Sequence, residues 1–271
     1  MEIAQPKLQA YLLHGHHLIK GWLFPAALEA IVRLSLEQQR AKIPGGGAEI
    51  GVHHGKLFIL LYLLSSGDGQ AVAIDLFSYQ KLNLDHSGAG DLERFKRNLH
   101  RHADASRLVI HEGDSTQLTA ERLLELGRGP FRLISIDGGH TAEVTAHDLA
   151  ISEGALSRGG IIILDDCFQE MWPGVADGVH RHFSQPRTIV PFGIGGNKTF
   201  FCQPEFANRY AKVLREMDRR AVEQRFLGHP VVCFQFQPWT LVGWYRRVDP
   251  WRAVRRVYHE VLSRVSVRSA C

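Results

Sequence analysis

Three stretches of the sequence decide the fold: AEIGVHHGKLFILL (residues 48–61), FRLISIDGGH (residues 131–140) and LSRGGIIILDD (residues 156–166). Each contains a short run of apolar residues that ends at a glycine or an aspartate. Runs of this length, bounded by turn-forming residues, are typical of strands that are buried on both faces. We therefore expect three parallel strands here, with helices covering the sheet.

Two further strands are predicted between these stretches, AVAID (residues 71–75) and RLVIHEGD (residues 107–114), and each precedes an amphipathic segment. Later, RTIVPF (residues 187–192) and KTFFC (residues 198–202) flank the turn GIGGN, which predicts an antiparallel pair. The predicted fold class is α/β. It is a Rossmann-like, doubly wound sheet of about seven strands, mostly parallel with an antiparallel strand near the end, plus an N-terminal helical cap and C-terminal additions.

The domain organisation follows from the same pattern. Residues 1–43 are predicted to form a helical cap or lid, because PAALEAIVRLSLEQQ has apolar residues at helical spacing. Residues 44–203 form the predicted core. Residues 204–271 form a C-terminal extension packed on the same domain, with a last amphipathic helix after Asp249-Pro250.

The composition excludes several classes of protein. Hydrophobic residues make up 45% and charged residues 22% of 271 positions, which excludes wholesale disorder. The longest apolar run, residues 57–64, is far shorter than the ~20 residues that span a bilayer. The first residues lack a secretory signal pattern, so we expect a cytoplasmic protein. The four cysteines form no CxxC pair, which favours reduced thiols.

The net charge of +4 is unevenly distributed along the chain. Between residues 209 and 271 there are thirteen Lys or Arg residues against five Asp or Glu residues. These arginines fall on the polar face of predicted helices, and no nucleic-acid-binding motif accompanies them. We therefore expect no nucleic-acid partner and no membrane partner.

Acidic residues stand where the predicted parallel strands end: Glu49, Asp75, Asp114, Asp137 and the pair Asp165-Asp166. Ligands of open parallel sheets bind beyond the carboxyl ends of the strands. Like charges gathered at one edge require a cation or a hydroxyl-rich ligand. In a strict strand the side chains of Asp165 and Asp166 point to opposite sides, and we favour Asp165 over Asp166 as the metal ligand.

The loop after the first strand differs from a dinucleotide-binding loop. Gly51 and Gly55 are present, but the middle glycine of the GxGxxG pattern is replaced by Val52-His53. The carboxylate of Glu49 before this turn disfavours a phosphate and favours a cationic ligand. Asp75 is placed to bind ribose hydroxyls. Together these residues favour S-adenosylmethionine over NAD.

The segments AEIGVHHGKLFILL, AIDLF, GDS, ISIDGGHTAEVTAHDL and LSRGGIIILDD resemble those of the class I S-adenosylmethionine-dependent methyltransferases. More narrowly, they are similar to the metal-dependent sugar O-methyltransferases of the macrocin and mycinamicin type, and more distantly to catechol O-methyltransferase. The resemblance covers about residues 20–203.

The resemblance implies a role for each matching residue. The cofactor would be bound by Glu49, Gly51, Gly55, Asp75, Asp114, Ser115 and Asp137. Asp137, Asp165 and Asp166 would hold Mg²⁺ or Mn²⁺, and His140 would be the general base. The chemistry is consistent with these roles, because Mg²⁺ prefers oxygen ligands and a metal-bound hydroxyl loses its proton more readily.

The expected activity is methyl transfer from S-adenosylmethionine to a hydroxyl of a sugar or glycoside. A catechol or another phenol is the second candidate for the acceptor, since it can chelate a metal in the same way. Two competing hypotheses are a methyltransferase-like binding protein without activity and an NAD-dependent oxidoreductase. The apolar helical cap and the C-terminal additions are compatible with a homodimer.

Overall fold

One mixed sheet organises the computed structural model, which describes residues 5–65, 69–83 and 85–235. Within these residues it has nine strands: β1 Gly46–Ile50, β2 Ala71–Asp75, β3 Leu108–Glu112, β4 Phe131–Ile136, β5 Leu156–Asp165, β6 Val190–Gly195, β7 Lys198–Cys202, β8 Val222–Phe226 and β9 His229–Cys233. Eight α-helices accompany them in the same part of the chain: α1 Pro6–Leu13, α2 Pro25–Arg40, α3 Lys56–Leu64, α4 Leu92–His102, α5 Ala120–Gly127, α6 Ala142–Gly154, α7 Pro173–His182 and α8 Pro204–Met217.

The strand order is β3-β2-β1-β4-β5-β7-β6-β9-β8. The strands β3, β2, β1, β4 and β5 are parallel. From β1 to β3 the chain adds strands on one side of β1, and β4 and β5 are then added on its other side. Right-handed crossovers then place the helices on both faces of the sheet. The predicted α/β Rossmann-like fold, with its five parallel strands and antiparallel β7, is confirmed.

The hairpin of β8 and β9 extends the sheet beyond the seven strands expected. β9 pairs in parallel with β6 and antiparallel with β8. The sequence of β8 is VEQRF, and four of its five residues are exposed. β8 was not predicted, because an edge strand of polar residues lacks the apolar run that indicates a buried strand.

Helix α3 is buried along nearly its whole length. Leu57 to Leu64 are all buried, and the helix packs on β1 and β2 and contacts α1. A helix that is apolar on every side requires cover on both of its faces. The sheet covers one side of α3 and the N-terminal helices cover the other.

Helix starts follow local sequence signals. Proline occupies the first turn of α2, α7 and α8, where its missing N–H has no partner to lose. The side chains of Asp91, Thr119 and Thr141 accept hydrogen bonds from backbone N–H groups at the starts of α4, α5 and α6.

The described part of the predicted C-terminal extension adds α8, β8 and β9. Helix α8 packs on β6, β7 and β9 and against α2. Residues 236–271, including the amphipathic helix predicted after Asp249-Pro250, lie outside the described residues. Cys167, Cys202 and Cys233 are free thiols. No helix in the described part of the chain is long and apolar enough to cross a membrane.

We predict that Phe95→Ala lowers the free energy of unfolding by about 3–5 kcal/mol, the usual cost of removing a buried phenyl ring. Phe95 is fully buried on α4, and its ring packs edge-on against Phe58 and stacks on Phe77. Phe24→Ala is the matched control, because Phe24 is 54% exposed and should cost less than about 1 kcal/mol. Urea unfolding followed by circular dichroism measures both, and equal losses would contradict the packing described for α4.

Candidate functional site

The carboxyl ends of β2, β1, β4 and β5 meet at one edge of the sheet, and the reversal between β1 and β4 leaves a crevice there. The acidic residues that the sequence placed at these strand ends are Glu49, Asp75, Asp137, Asp165 and Asp166. Their surroundings differ, and these differences determine what each carboxylate can bind.

Gly51 allows the ends of β1 and β4 to touch. Its φ is +86°, and a Cβ at this position would lie 1.8 Å from the carbonyl oxygen of Asp137. The N–H of Gly51 donates to the carbonyl of Ile74 at 2.8 Å, and the N–H of Asp137 donates to the carbonyl of Ile50 at 2.7 Å. Position 51 therefore has to be glycine. The backbone of Asp137, which follows β4, lies directly against the loop that follows β1.

The same loop ends at Gly55, immediately before α3. Gly55 has a φ of +88°, and a Cβ there would lie 2.6 Å from the ring of Phe95. Both sequence-predicted glycines are thus required by backbone conformation and close packing. The turn that they form leads directly into the N-terminus of α3.

Asp75 holds the first loop in place. Its Oδ2 accepts a hydrogen bond from the backbone N–H of His53 at 2.7 Å, and its Oδ1 accepts one from Phe77 at 2.8 Å. Burial raises the pKa of Asp75, and these backbone hydrogen bonds oppose that rise. Asp75 therefore braces the loop.

Glu49 is a buried acid, only 2% exposed, on β1. Its Oε2 has no hydrogen-bond partner within the described residues. Burial raises the pKa of Glu49 well above its ordinary value, and the negative charge of Asp137 raises it further while Lys198 opposes the rise. A carboxyl group in this state is suited to a cationic or hydrogen-bond-donating ligand.

Lys198 is a functional candidate that sequence reasoning missed. It is 2% exposed at the start of β7, where it pairs in register with Asp165. Its ammonium forms an ion pair with Asp165 and lies 4.0 Å from Oδ2 of Asp137. Burial lowers the pKa of Lys198, but the charges of Asp165 and Asp137 outweigh burial and raise it.

Asp165 ends β5 and Asp166 lies just after it, and the side-chain amide of Asn197 donates to Oδ1 of both carboxylates. Asp165 is held by Lys198 and by the side-chain amide of Asn197, which donates to its Oδ1 at 2.9 Å. Asp166 adopts a φ of +59°, and its side chain faces His140. The structure thus brings Asp166, the less favoured of the two acids on sequence grounds, next to Asp137 and His140.

Asp137, His140 and Asp166 form a compact cluster in which each offers one ligand atom, and these atoms lie within 4.8 Å of one another. The Nε2 of His140 lies 3.1 Å from Oδ2 of Asp166. Trp172 stacks on the imidazole with ring centroids 4.2 Å apart. The two carboxylates of this cluster fit a divalent cation, because carboxylate oxygens are the donors that Mg²⁺ and Mn²⁺ prefer.

A second carboxylate holds the other side of the His140 ring. Oδ2 of Asp85, in the loop before α4, lies 2.7 Å from Nδ1 of His140 and accepts the backbone N–H of His140 at 2.8 Å. Burial alone lowers the pKa of His140, but the hydrogen bonds with Asp166 and Asp85 outweigh burial and raise it to about 9. No sequence signal pointed to Asp85, because 55 residues separate it from His140.

Asp114 and Ser115 lie farther along the edge, after β3. Oδ1 of Asp114 accepts the backbone N–H of Thr116 at 2.9 Å and its hydroxyl at 2.8 Å, so Asp114 caps a short 3₁₀ turn. This is the capping role that Asp favours at such positions, and it leaves the other carboxylate oxygen available. Ser115 is nearly buried behind the cap.

The chain is similar to known proteins both in sequence and in fold. Residues 48–167, somewhat less than half of the chain, match the family model described as a methyltransferase domain. No curated protein matches the chain significantly. The fold is similar to that of solved O-methyltransferases.

Three solved structures illustrate this similarity. The O-methyltransferase NovP has 17% sequence identity and a TM-score of 0.52, over 66% of this chain and 79% of NovP. The O-methyltransferase TomG of Streptomyces achromogenes, solved with S-adenosylmethionine, has 15% identity and a TM-score of 0.50, over 74% of this chain and 91% of TomG. CalS11, a TDP-rhamnose 3′-O-methyltransferase, has 18% identity and a TM-score of 0.50, over 73% of this chain and 88% of CalS11.

We predict that Gly51→Ala lowers the free energy of unfolding by more than about 3 kcal/mol, because it adds a steric clash to the strain of a positive φ. Gly228→Ala is the matched control: its φ of +81° is similar, but nothing lies within 4 Å of the added Cβ. It should cost about 1 kcal/mol. Urea unfolding of both variants measures the difference, and equal costs would show that the contact of Gly51 with Asp137 is not restrictive.

A pH-dependent prediction concerns Asp148, which is fully buried on α6 beneath Gly138. Burial raises the pKa of Asp148 to about 7, and the Ser115 hydroxyl opposes this rise. A raised acid pKa stabilises the fold at low pH, and this stability is lost as the pH rises from about 4 to about 7. At about 1.4 kcal/mol per pKa unit, the loss approaches 4 kcal/mol.

The variant Asp148→Asn should therefore remove much of the decline in stability between about pH 4 and pH 7, while Asp177→Asn, exposed on α7, should leave it unchanged. Thermal unfolding measured across this pH range tests the difference. The same pH dependence in Asp148→Asn and in the unaltered protein would contradict the prediction.

Proposed function

We propose that this protein is an O-methyltransferase that depends on S-adenosylmethionine and a divalent metal and acts on a hydroxyl of a sugar or glycoside. The observation that carries the proposal is the cluster of Asp137, His140 and Asp166 beside the glycine turn at Gly51. The match of residues 48–167 to a methyltransferase domain supports the cofactor.

The first loop and its neighbours would bind the cofactor. Gly51 and Gly55 would let the backbone approach its methionine end, and the buried carboxyl of Glu49 would face its amino group. Asp75 would accept hydrogen bonds from the ribose hydroxyls. Asp114 and Ser115 would lie at the adenine, as the resemblance implies.

Asp137 and Asp166 would hold Mg²⁺ or Mn²⁺ through carboxylate oxygens. Asp165 would support the site from behind, because the buried ammonium of Lys198 is already paired with its Oδ2. When bound, the metal lowers the pKa of a coordinated hydroxyl and orients the acceptor. With a cation held there, Asp166 would bind the imidazolium of His140 less strongly, so that His140 could act as a general base.

His140 would accept the proton of the acceptor hydroxyl at Nε2. The oxygen then forms a bond to the methyl carbon as the carbon–sulfur bond breaks, and the electron pair of that bond stays on sulfur. The products are the methyl ether and S-adenosylhomocysteine. The chain contributes alignment and proton removal, which are the main requirements of a transfer from an already activated sulfonium.

A vicinal diol is the acceptor that this site suits best, since two neighbouring oxygens can chelate one metal ion. The solved neighbour CalS11 is a sugar methyltransferase. A catechol is the second candidate, favoured by the apolar surface beside the cluster: Trp172 stacks on His140, Phe168 is 58% exposed and Met171 is 72% exposed.

Titration calorimetry tests the cofactor and the metal separately. S-adenosylhomocysteine should bind the folded protein, and failure to bind would contradict the methyltransferase proposal. Mn²⁺ should bind in the presence of S-adenosylhomocysteine, and Asp137→Asn should weaken Mn²⁺ binding at least about tenfold, which corresponds to about 1.4 kcal/mol.

Asp177→Asn is the control for the metal experiment, because Asp177 is an exposed aspartate on α7 outside the cluster. It should leave the affinity for Mn²⁺ unchanged. If Asp137→Asn bound Mn²⁺ as tightly as the control does, the metal site would be wrong even if the cofactor bound. A screen of sugar diols and catechols then separates the two acceptor classes, and binding without turnover would indicate a non-catalytic protein.

A further inference from the structure

The loop between β2 and α4 is braced by its own side chains in its described parts, residues 76–83 and 85–90. The amide of Asn83 donates to the carbonyls of Ser87 at 2.8 Å and Gly88 at 3.1 Å. The side-chain amide of Gln80 donates to the carbonyl of Phe77 at 2.8 Å. These bonds close the loop on itself, so the position of its tip is defined.

Both ends of this loop meet Asp75. The backbone N–H of Phe77 donates to Oδ1 of Asp75, and a Cβ at Gly90 would lie 2.6 Å from the same oxygen. The tip of the loop, at Asp85, reaches across to His140. One loop thus connects the acid proposed to bind the cofactor ribose with the residue proposed as the base.

Asp85 uses both carboxylate oxygens fully. Oδ1 accepts the backbone N–H of Ser87 at 2.9 Å and its hydroxyl at 2.6 Å. Oδ2 contacts the backbone N–H of His140 at 2.8 Å and Nδ1 of its ring at 2.7 Å. The side chains of Asp85 and His140 are only 11% and 9% exposed, so water competes little for these bonds.

We propose that Asp85 is a positioning residue that accepts the Nδ1 proton of His140 and so fixes the ring with Nε2 toward the reacting hydroxyl. The proposal rests on the function proposed above. An imidazole whose Nδ1 donates to a carboxylate presents Nε2 as the acceptor. Trp172, stacked on one face of the ring, and the bond from the His140 backbone to Asp85 restrict the ring further.

Asparagine cannot replace Asp85 in this role. Its side chain has one acceptor oxygen and one NH₂ group, whereas four donors converge on Asp85, two on each oxygen. The oxygen of an amide at position 85 can accept hydrogen bonds from the two donors of Ser87 or from the two donors of His140. Its NH₂ group then faces the remaining two donors, with which it cannot form hydrogen bonds. Asp85→Asn therefore removes the restraint with little change in volume.

The chain offers a matched control in Asp104. Its Oδ1 accepts the backbone N–H of Ser106 at 3.1 Å and its hydroxyl at 2.9 Å, which is the same turn that Asp85 forms with Ser87. Asp104 also accepts the hydroxyl of Tyr62 at 3.0 Å, and it lies in the loop after α4, not at the cluster. Asp104→Asn thus perturbs the same kind of turn without touching His140.

The first test is nuclear magnetic resonance of the histidine rings in ¹⁵N-labelled protein, with His140 assigned by comparison with His140→Gln. The unaltered protein and Asp104→Asn should show a low-field proton on Nδ1 of His140. Asp85→Asn should lose this signal, because the Nδ1 proton no longer has a carboxylate that holds it against exchange with water. An unchanged Nδ1 proton in Asp85→Asn would overturn the proposal, and this readout requires no acceptor.

The second test uses catechol and methyl α-L-rhamnopyranoside as probe diols. Asp85→Asn should lower kcat about tenfold or more and leave KM for S-adenosylmethionine within about twofold, since general-base catalysis contributes 10²–10⁴-fold. Asp85→Glu, which keeps a carboxylate, should recover part of the loss. An unchanged kcat, or equal losses in Asp85→Asn and Asp104→Asn, would overturn the proposal.

The two tests separate the two hypotheses. If neither probe is methylated by the unaltered protein, the proposed activity on these diols fails, but the ring spectrum still decides whether Asp85 holds Nδ1. If the probes are methylated and the Nδ1 signal survives in Asp85→Asn, the activity stands and the positioning role fails.

Discussion

The burial of Lys198 among carboxylates is the interaction on which the site depends. Four strands deliver acids to one edge of the sheet, and like charges at this spacing repel unless a cation separates them. Lys198 neutralises Asp165 and approaches Asp137, but a single ammonium cannot balance the group. The pKa of Glu49, already raised by burial, is raised further by this surplus of negative charge. A site in this condition gains free energy from further positive charge, which a sulfonium or a divalent metal supplies.

The backbone determines where that charge can be placed. Gly51 brings β1 against β4 so closely that the Asp137 carbonyl occupies the space of a side chain. The proposed cofactor turn and the first metal-binding candidate are therefore parts of one rigid junction between neighbouring strands. A methyl donor bound at the turn and a hydroxyl bound at Asp137 would lie next to each other without any movement of the sheet, which favours transfer through alignment.

The sequence predicted the parallel strands and the acids at their ends, because both follow from local apolar runs and one topological rule. It could not predict Lys198, since KTFFC reads as an ordinary strand until the pairing of β7 with β5 places Lys198 opposite Asp165. The ranking of Asp165 above Asp166 relied on the alternation of side chains along a strand, which ends at Asp165 because Asp166 adopts a φ of +59°. The sequence could not predict the contact of Asp85 with His140 for a different reason. The two residues are 55 positions apart, and their contact depends on the conformation of a long loop.

The acids at the edge differ in how many of their oxygens are occupied by fixed donors, and this difference bears on where the proposed metal would bind. Asp75 accepts two backbone N–H groups, Asp114 caps a turn and Asp165 is held by Lys198. Asp166 accepts the side-chain amide of Asn197 on Oδ1 and contacts Nε2 of His140 through Oδ2. The side chain of Asp137 is 31% exposed, against 14% for Asp166 and 8% for Asp165. A divalent ion needs oxygens that are not already saturated by fixed donors. The proposed metal would therefore bind first at Asp137, on the side of the strand ends that His140 and the Asp85 loop reach.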